Sequence, residues 1–311
     1  MTIAIGATVA PWIQGFTPFE RATVTRTEVV RPAMCGHNSL FVGHIGDWTW
    51  DAVSEVCGTD VLRARNRAGD PTYLSFYYYR VRGSRRFHLR TPTFGDRLHV
   101  TTRLFDFGSE SVLALHRIGL SAGLPSFEVD DFYAPAGDGC LYVETFNRWI
   151  SRRERSDSNR DLVKSSPADF EHAHLPRLPE RYSPRDACRR ARTDLTFSPD
   201  TVAGPAFVTE YPVDLTRDFN GVGLLHFAAY FSIVDGALLR YWRHLGRSDR
   251  SFLDRVVVDQ QLCYLGNADS DCVVESTVVP RHAASDEVYD VVLRDRDDRR
   301  VLAVSTLRLL V

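Results

Sequence analysis

The chain has 311 residues, 44% of them hydrophobic, and a formal charge of −2: enough apolar material for one large core or two ordinary ones, and no broad positive field for nucleic acid. No run of about 18 uncharged apolar residues occurs, and the opening MTIAIGATVAPWIQG lacks the basic start and apolar middle of an export signal, so a cytoplasmic protein without a membrane partner is expected. Six scattered cysteines include no C-x-x-C pair, which argues against a zinc site or a disulfide framework, and no metal is expected.

The first helix is expected over Trp48–Cys57, N-capped by Asp47 and closed by Gly58. Just before it, MCGHNSLFVGHIG crowds imidazole, amide and hydroxyl groups among glycines. The strand PTYLSFYYYRVRG follows, and its alternation puts Tyr73, Ser75, Tyr77 and Tyr79 on one face, Phe76 and Tyr78 on the other. DRLHVTTRLFDF, SVLALHRIGL and SFEVDDFYA read as further strands. Residues 151–194 are charged and punctuated by prolines without an apolar period, which marks a linker. Beyond it LLHFAAYFSIVDGALLRYWRHL, apolar on nearly every face, reads as a wrapped helix ending at Gly246, followed by the strands RVVVDQQLCYLG, DCVVESTVVPRH, EVYDVVLRD and VLAVSTLRLLV.

These elements occur twice in one order. Asn38 and Asn220 are 182 residues apart, as are His44 and His226, and Trp48 matches Tyr230 at the same offset. A buried helix wrapped by a curved antiparallel sheet is the hot-dog fold, so the expectation is an α+β double hot-dog. Its first unit is 1–150, its linker 151–194 and its second unit 195–311.

Several motifs tempt and fail. Gly119-Leu-Ser-Ala-Gly123 matches a nucleophile elbow, but LPSFEVDDF, with Pro125, follows where a helix is required. His172 and His174 stand in a polar linker without rigid support for a metal. Lys164 is the only lysine among 38 basic residues, and a charged segment gives it no pocket for Schiff-base chemistry. Arg82, Arg85 and Arg86 either form a solvated turn or grip a coenzyme A phosphate, since guanidinium binds phosphate bidentately. The stronger candidates are His37, Asn38 and Ser39, donors beside a helix N-terminus that would face a thioester carbonyl, with Asn220 and Gly221 as their counterparts. Tyr73 begins its strand at a loop mouth, and the repeat places Arg255 there instead.

MCGHNSLFVGHIGDWTW, PTYLSFYYYR, VETFNRWISR with SNRDLVKSSP, and RDFNGVGLLHFAAYFSIVDGA together resemble the bifunctional acyltransferase/decarboxylases of leinamycin-type polyketide biosynthesis, from about residue 25 onward. The resemblance implies that methylmalonyl-CoA acylates a tyrosine, loses carbon dioxide, and passes a propionyl group to the phosphopantetheine thiol of an acyl carrier protein. It implies no permanently bound cofactor and allows a homodimer. It puts the nucleophile at Tyr73, with Tyr77 and Tyr79 as alternatives. Two other readings use the same fold: an acyl-CoA or acyl-carrier-protein thioesterase, with Asp47 as the first-half candidate for activating water, and a non-catalytic acyl-binding module.

Overall fold

The structure, a computed structural model, describes residues 21–36, 38–120, 127–153, 156–282 and 286–310. The chain runs β1 (Thr23–Val29), α1 (Asn38–Cys57), β2 (Tyr73–Arg82), β3 (Arg97–Asp106), β4 (Ser111–Gly119), α2 (Val129–Tyr133) and β5 (Cys140–Arg152). It continues through β6 (Leu162–Lys164), α3 (Arg185–Thr193) and β7 (Val202–Ala203) into β8 (Phe207–Pro212), α4 (Phe227–His244), α5 (Asp249–Asp254), β9 (Val256–Tyr264), β10 (Val273–His282), β11 (Asp286–Asp295) and β12 (Val301–Leu310).

All twelve strands join one sheet in the order β1-β3-β4-β5-β2-β9-β12-β11-β10-β7, with β6 on β5 and β8 on β10. Outward from the β2–β9 seam, β5, β4, β3 and β1 on one side match β12, β11, β10 and β8 on the other. This is a double hot-dog. The seam pairs Tyr78 with Cys263 and Arg82 with Asp259, antiparallel.

Alternation along the strands explains the wrapping. Val100, Ile118 and Val143 turn inward with Phe41, Ile45 and Trp48 of α1, while Val274, Val291 and Leu307 do the same for α4. The helices meet at Gly43, against Ala228, and at Gly46, against Phe227. The outer face is also covered where the linker crosses: Leu178, Cys188, Ala191 and Phe197 pack on Tyr78, Phe146, Cys263 and Val304. That second cover explains why β4 is buried along its whole length. His116 there, between Thr49 and Thr102 at 2.9 Å each, is kept neutral by burial, its pKa pushed down to about 3.

Five local expectations are corrected. α1 begins at Asn38, not Trp48, so Asp47 lies within the helix and caps nothing. Gly43 and Gly46, which suggested a loop, are helical residues whose missing side chains admit the other helix. SFEVDDFYA is not a strand: Glu128 precedes a short helix whose first turn carries Asp130 and Asp131, and Cys140–Arg152 is the true fifth strand of the first unit. The offset of 182 also fails at the helix starts. Asn220 accepts hydrogen bonds from the Val222 and Leu224 amides through Oδ1, and Gly223 turns the chain at φ 73°, so α4 starts only at Phe227. Finally, β2 carries a bulge between Phe76 and Tyr78, which returns Tyr79 to the inner face beside Phe76 and sends Tyr78 outward. Ser121 of the rejected elbow, within 121–126, lies outside the described residues.

Candidate active site

The seam does not run the full length of its strands. β2 and β9 pair from Tyr78 to Arg82 and part on the N-terminal side of the bulge, leaving a cavity of about 570 Å³. One wall is Tyr73 to Tyr77 with Arg148 and Ile150 of β5; the other is Tyr264 to Asn267; the loop before α4, Asn220 to His226, closes the third side. The floor is aromatic. Phe227 lies 4.1 Å from Phe76 between ring centroids, and Trp50 stands 5.9 Å from both. The Trp50 indole donates to the Leu74 carbonyl at 3.0 Å, which fixes its ring.

Tyr73 therefore meets Asn220 and Gly221 in one cavity, although they come from opposite units. The Asn220 amide oxygen is spent on its own turn, which leaves Nδ2 without a partner among the described residues and able to donate into the cavity. The loop that carries it is clamped from below. Arg152 donates to the Val222 and Gly223 carbonyls and to Asn159, and buried Asn159 donates to the Gly223 and Ala268 carbonyls at 2.8 Å each. Asn267 holds Leu225 through both its amide N–H and its carbonyl.

The alternative tyrosines are placed differently. Tyr77 also lines the cavity, but Arg192 donates to its hydroxyl at 2.7 Å and the Arg148 guanidinium lies 3.6 Å over its ring. Burial nevertheless pushes its phenol above the ordinary value, with the two arginines opposing. Tyr79 is fully buried and donates to the Val42 carbonyl in the core. The Tyr73 hydroxyl makes no hydrogen bond among the described residues.

His37 lies outside the described residues, as do the side chains of Asn38 and Ser39. Their helix turns toward a different cavity, lined by Leu40, Gly43 and His44. Arg82, Arg85 and Arg86 are not brought to Tyr73 either. β2 separates them by roughly 30 Å at ~3.3 Å per residue. Arg82 donates to the carbonyls of Phe132 and Tyr133, and Arg86 pairs with Asp138 at 3.3 Å. The cations that do reach the cavity are Arg148, Arg160, Lys164, Arg192 and Arg300. Lys164 arrives through register: it pairs with Ile150, which pairs with Tyr73, so the three form one cross-strand row. Its ammonium now contacts Glu110 at 3.2 Å. Sequence reasoning set this lysine aside because a three-residue strand in a charged linker leaves no periodic signal.

At the position equivalent to Tyr73 the second unit is filled. Arg255 is buried, paired with Asp235 at 2.8 Å and stacked 3.6 Å over Phe252. Only the cavity at Tyr73 keeps a hydroxyl at this place in the repeat.

A model of the LnmK N-terminal hot-dog fold domain matches residues 25–199. No curated protein sequence matches the chain. Among solved structures, the acyl-ACP thioesterase from Bacteroides thetaiotaomicron superposes with a TM-score of 0.56 at 8% identity, over 94% of this chain and 100% of that one. The 12:0-ACP thioesterase from Umbellularia californica gives 0.56 at 12% identity, over 93% and 94%. At such identities the likeness is one of fold.

Proposed function

This chain belongs to the family of the LnmK N-terminal hot-dog fold domain, and from that premise we propose that it acts on acyl thioesters at the Tyr73 cavity as a bifunctional acyltransferase/decarboxylase. The substrate is a malonyl-type thioester, methylmalonyl-CoA, and the acceptor is the phosphopantetheine thiol of an acyl carrier protein. One observation carries the reading: every charged residue lining the cavity is basic, and no aspartate or glutamate lines it among the described residues. The carboxylate that a thioesterase reading would use to activate water, Asp47, borders the other cavity. A decarboxylase needs no base, only an anion-tolerant pocket and donors for the enolate oxygen.

In the first step the Tyr73 oxygen attacks the thioester carbonyl, the C–S bond breaks, and coenzyme A leaves as thiol with the phenolic proton. Lys164, two strands across in the same row, and Arg192 receive the anionic groups of the coenzyme. The bond between C2 and the carboxylate then breaks, carbon dioxide leaves, and the electron pair remains as an enolate. Asn220 Nδ2 and the N-terminus of α4 are the donors for its oxygen. The aromatic floor keeps water from the carboxylate. After C2 gains a proton, the carrier thiol attacks the phenyl ester, and Tyr73 leaves with the thiol's proton.

The test is intact-mass analysis after incubation with methylmalonyl-CoA, with and without carrier protein. Wild-type protein is expected to release carbon dioxide, carry a propionyl group on Tyr73, and lose it to carrier protein. Tyr73→Phe keeps the ring and removes the nucleophile, so transfer should collapse. Transfer at the wild-type rate would refute the acyl-tyrosine.

A further inference from the structure

The proposed reaction leaves one atom unaccounted for: the proton that C2 gains when carbon dioxide departs. Among the described residues a single side chain lines both the Tyr73 cavity and a second one of about 600 Å³. It is His226. The second cavity is polar, bordered by His44 and Asp47 of α1, by Tyr211 of β8 with Arg217 and Asp218 after it, and by Ser232 of α4.

The partition between the two is otherwise apolar. Phe227 projects into the space that Gly46 leaves, where even a Cβ would stand 2.1 Å from its ring. Beside it, His226 is held by its backbone: its N–H donates to the Asp218 carbonyl at 2.7 Å, and its own carbonyl accepts from the Ala229 amide at 2.9 Å. Its ring rests edge-on against Phe227 at 4.5 Å between centroids. Neither ring nitrogen has a hydrogen-bond partner among the described residues, so the imidazole is fixed in place yet chemically uncommitted.

An acid for this step must meet three demands at once. It must reach the enolate, it must leave the site dry, and it must be reloaded without passing the substrate. The other ionisable groups of the first cavity fail at least one. Tyr73 is esterified at that moment, Tyr230 and Tyr264 already donate to the Gly266 and Phe227 carbonyls, burial raises the pKa of the Tyr77 phenol, Lys164 lies two strands from Tyr73 against Glu110, and guanidinium groups do not give up protons at neutral pH. An imidazole that lines both chambers meets all three.

We propose that His226 is the catalytic acid that protonates C2 of the enolate, and that the second cavity is its proton inlet. The proposal rests on the decarboxylation reading. The proton leaves an imidazolium nitrogen, the enolate pair forms the C2–H bond, and the carbonyl is restored. The neutral imidazole then takes a proton from water on the side of His44 and Asp47. Burial lowers the pKa of the resting imidazole; the negative charge of the bound substrate, and then of the enolate, is what draws the proton onto it.

A stereochemical readout separates this role from a structural one. Turnover of methylmalonyl-CoA in D₂O makes C2 of the propionyl product chiral, and a fixed donor on one face yields a single enantiomer. His226→Asn is expected to lower kcat by about 100-fold or more and to give both enantiomers equally. Ser232 is exposed and lines the second cavity but not the first, so Ser232→Trp is expected to slow turnover and scramble the label even if the asparagine variant folds poorly. Wild-type protein that releases carbon dioxide, together with variants that retain one enantiomer at the wild-type rate, would overturn His226 and leave the decarboxylase reading standing. Wild-type protein that releases no carbon dioxide would overturn both.

Discussion

Replacing Gly46 by alanine would challenge the contact that separates the two cavities. The new Cβ would lie 2.1 Å from Cζ of Phe227 and 2.8 and 2.9 Å from its Cε atoms, where carbon atoms need about 3.5 Å. The ring has nowhere to retreat, with Phe76 at 4.1 Å and Trp50 pinned to the Leu74 carbonyl. Overpacking of this kind costs ~1–3 kcal/mol, while glycine to alanine within a helix returns about 1 kcal/mol. A net loss of up to roughly 2 kcal/mol follows. With an unfolding entropy of ~2.1 cal/mol/K per residue over 311 residues, that is a fall in Tm of up to about 3 °C. Gly236, on the exposed side of α4 with nothing within 4 Å of an added methyl group, provides the opposite sign: Gly236→Ala should raise Tm by about 1 °C. Scanning calorimetry on both variants decides the matter. If Gly46→Ala stabilises the protein as much as Gly236→Ala, Phe227 yields and the partition is not rigid.

Glu144 is buried, with its carboxylate accepting from the Tyr133 hydroxyl at 3.0 Å, and burial raises its pKa to about 7 against the opposing charge of Arg80. A raised folded-state pKa means that its stabilising contribution is complete below about pH 4.5 and is lost as pH rises through 7, roughly 3 kcal/mol in all. Urea titrations at pH 5 and pH 8 should show this loss in the wild type and not in Glu144→Gln; equal pH slopes would contradict it. Asn159→Ala removes three side-chain hydrogen bonds beneath the Asn220 loop and leaves two carbonyls and the Arg152 guanidinium short of a partner. A loss of ~2–4 kcal/mol is expected in chemical unfolding, with proteolytic cleavage appearing first near 220–223. An unchanged cleavage pattern would show that the clamp is redundant.

Much of this architecture is legible in the sequence because it is written twice. The Asn-x5-His pairs and the matched strands after each helix identify two copies of one unit, and the period of each strand shows which side faces its helix. What escapes is set by contacts between the copies. Nothing in GHIG announces that its second glycine faces Phe227 across a helix crossing, so the run reads as a loop. The bulge at Tyr77 is equally silent, since five of the eight residues from Thr72 to Tyr79 are aromatic and fit either face. The site suffers most. Tyr73, Asn220 and Gly221 stand out individually, but only the register of β2 against β9 shows that a tyrosine of one unit meets the pre-helix loop of the other. His226 was part of the repeat signal all along; its place between two chambers comes from the tertiary packing of α1 against α4.

The β2–β9 seam has a further consequence for how the chain reaches this state. Its partners, such as Tyr78 and Cys263, are roughly 180 residues apart, and closing so long a loop costs about 5 kcal/mol of chain entropy. By contrast, β3 with β4 and β11 with β12 form local hairpins that return contact energy for very little closure. Each half can therefore acquire most of its strands while β2 and β9 are still open edges. During that interval the chain has its secondary structure but no cavity, and two unpaired edges of matching length are exposed to any second chain. A seam that joins one molecule to itself is, until it closes, equally able to join two.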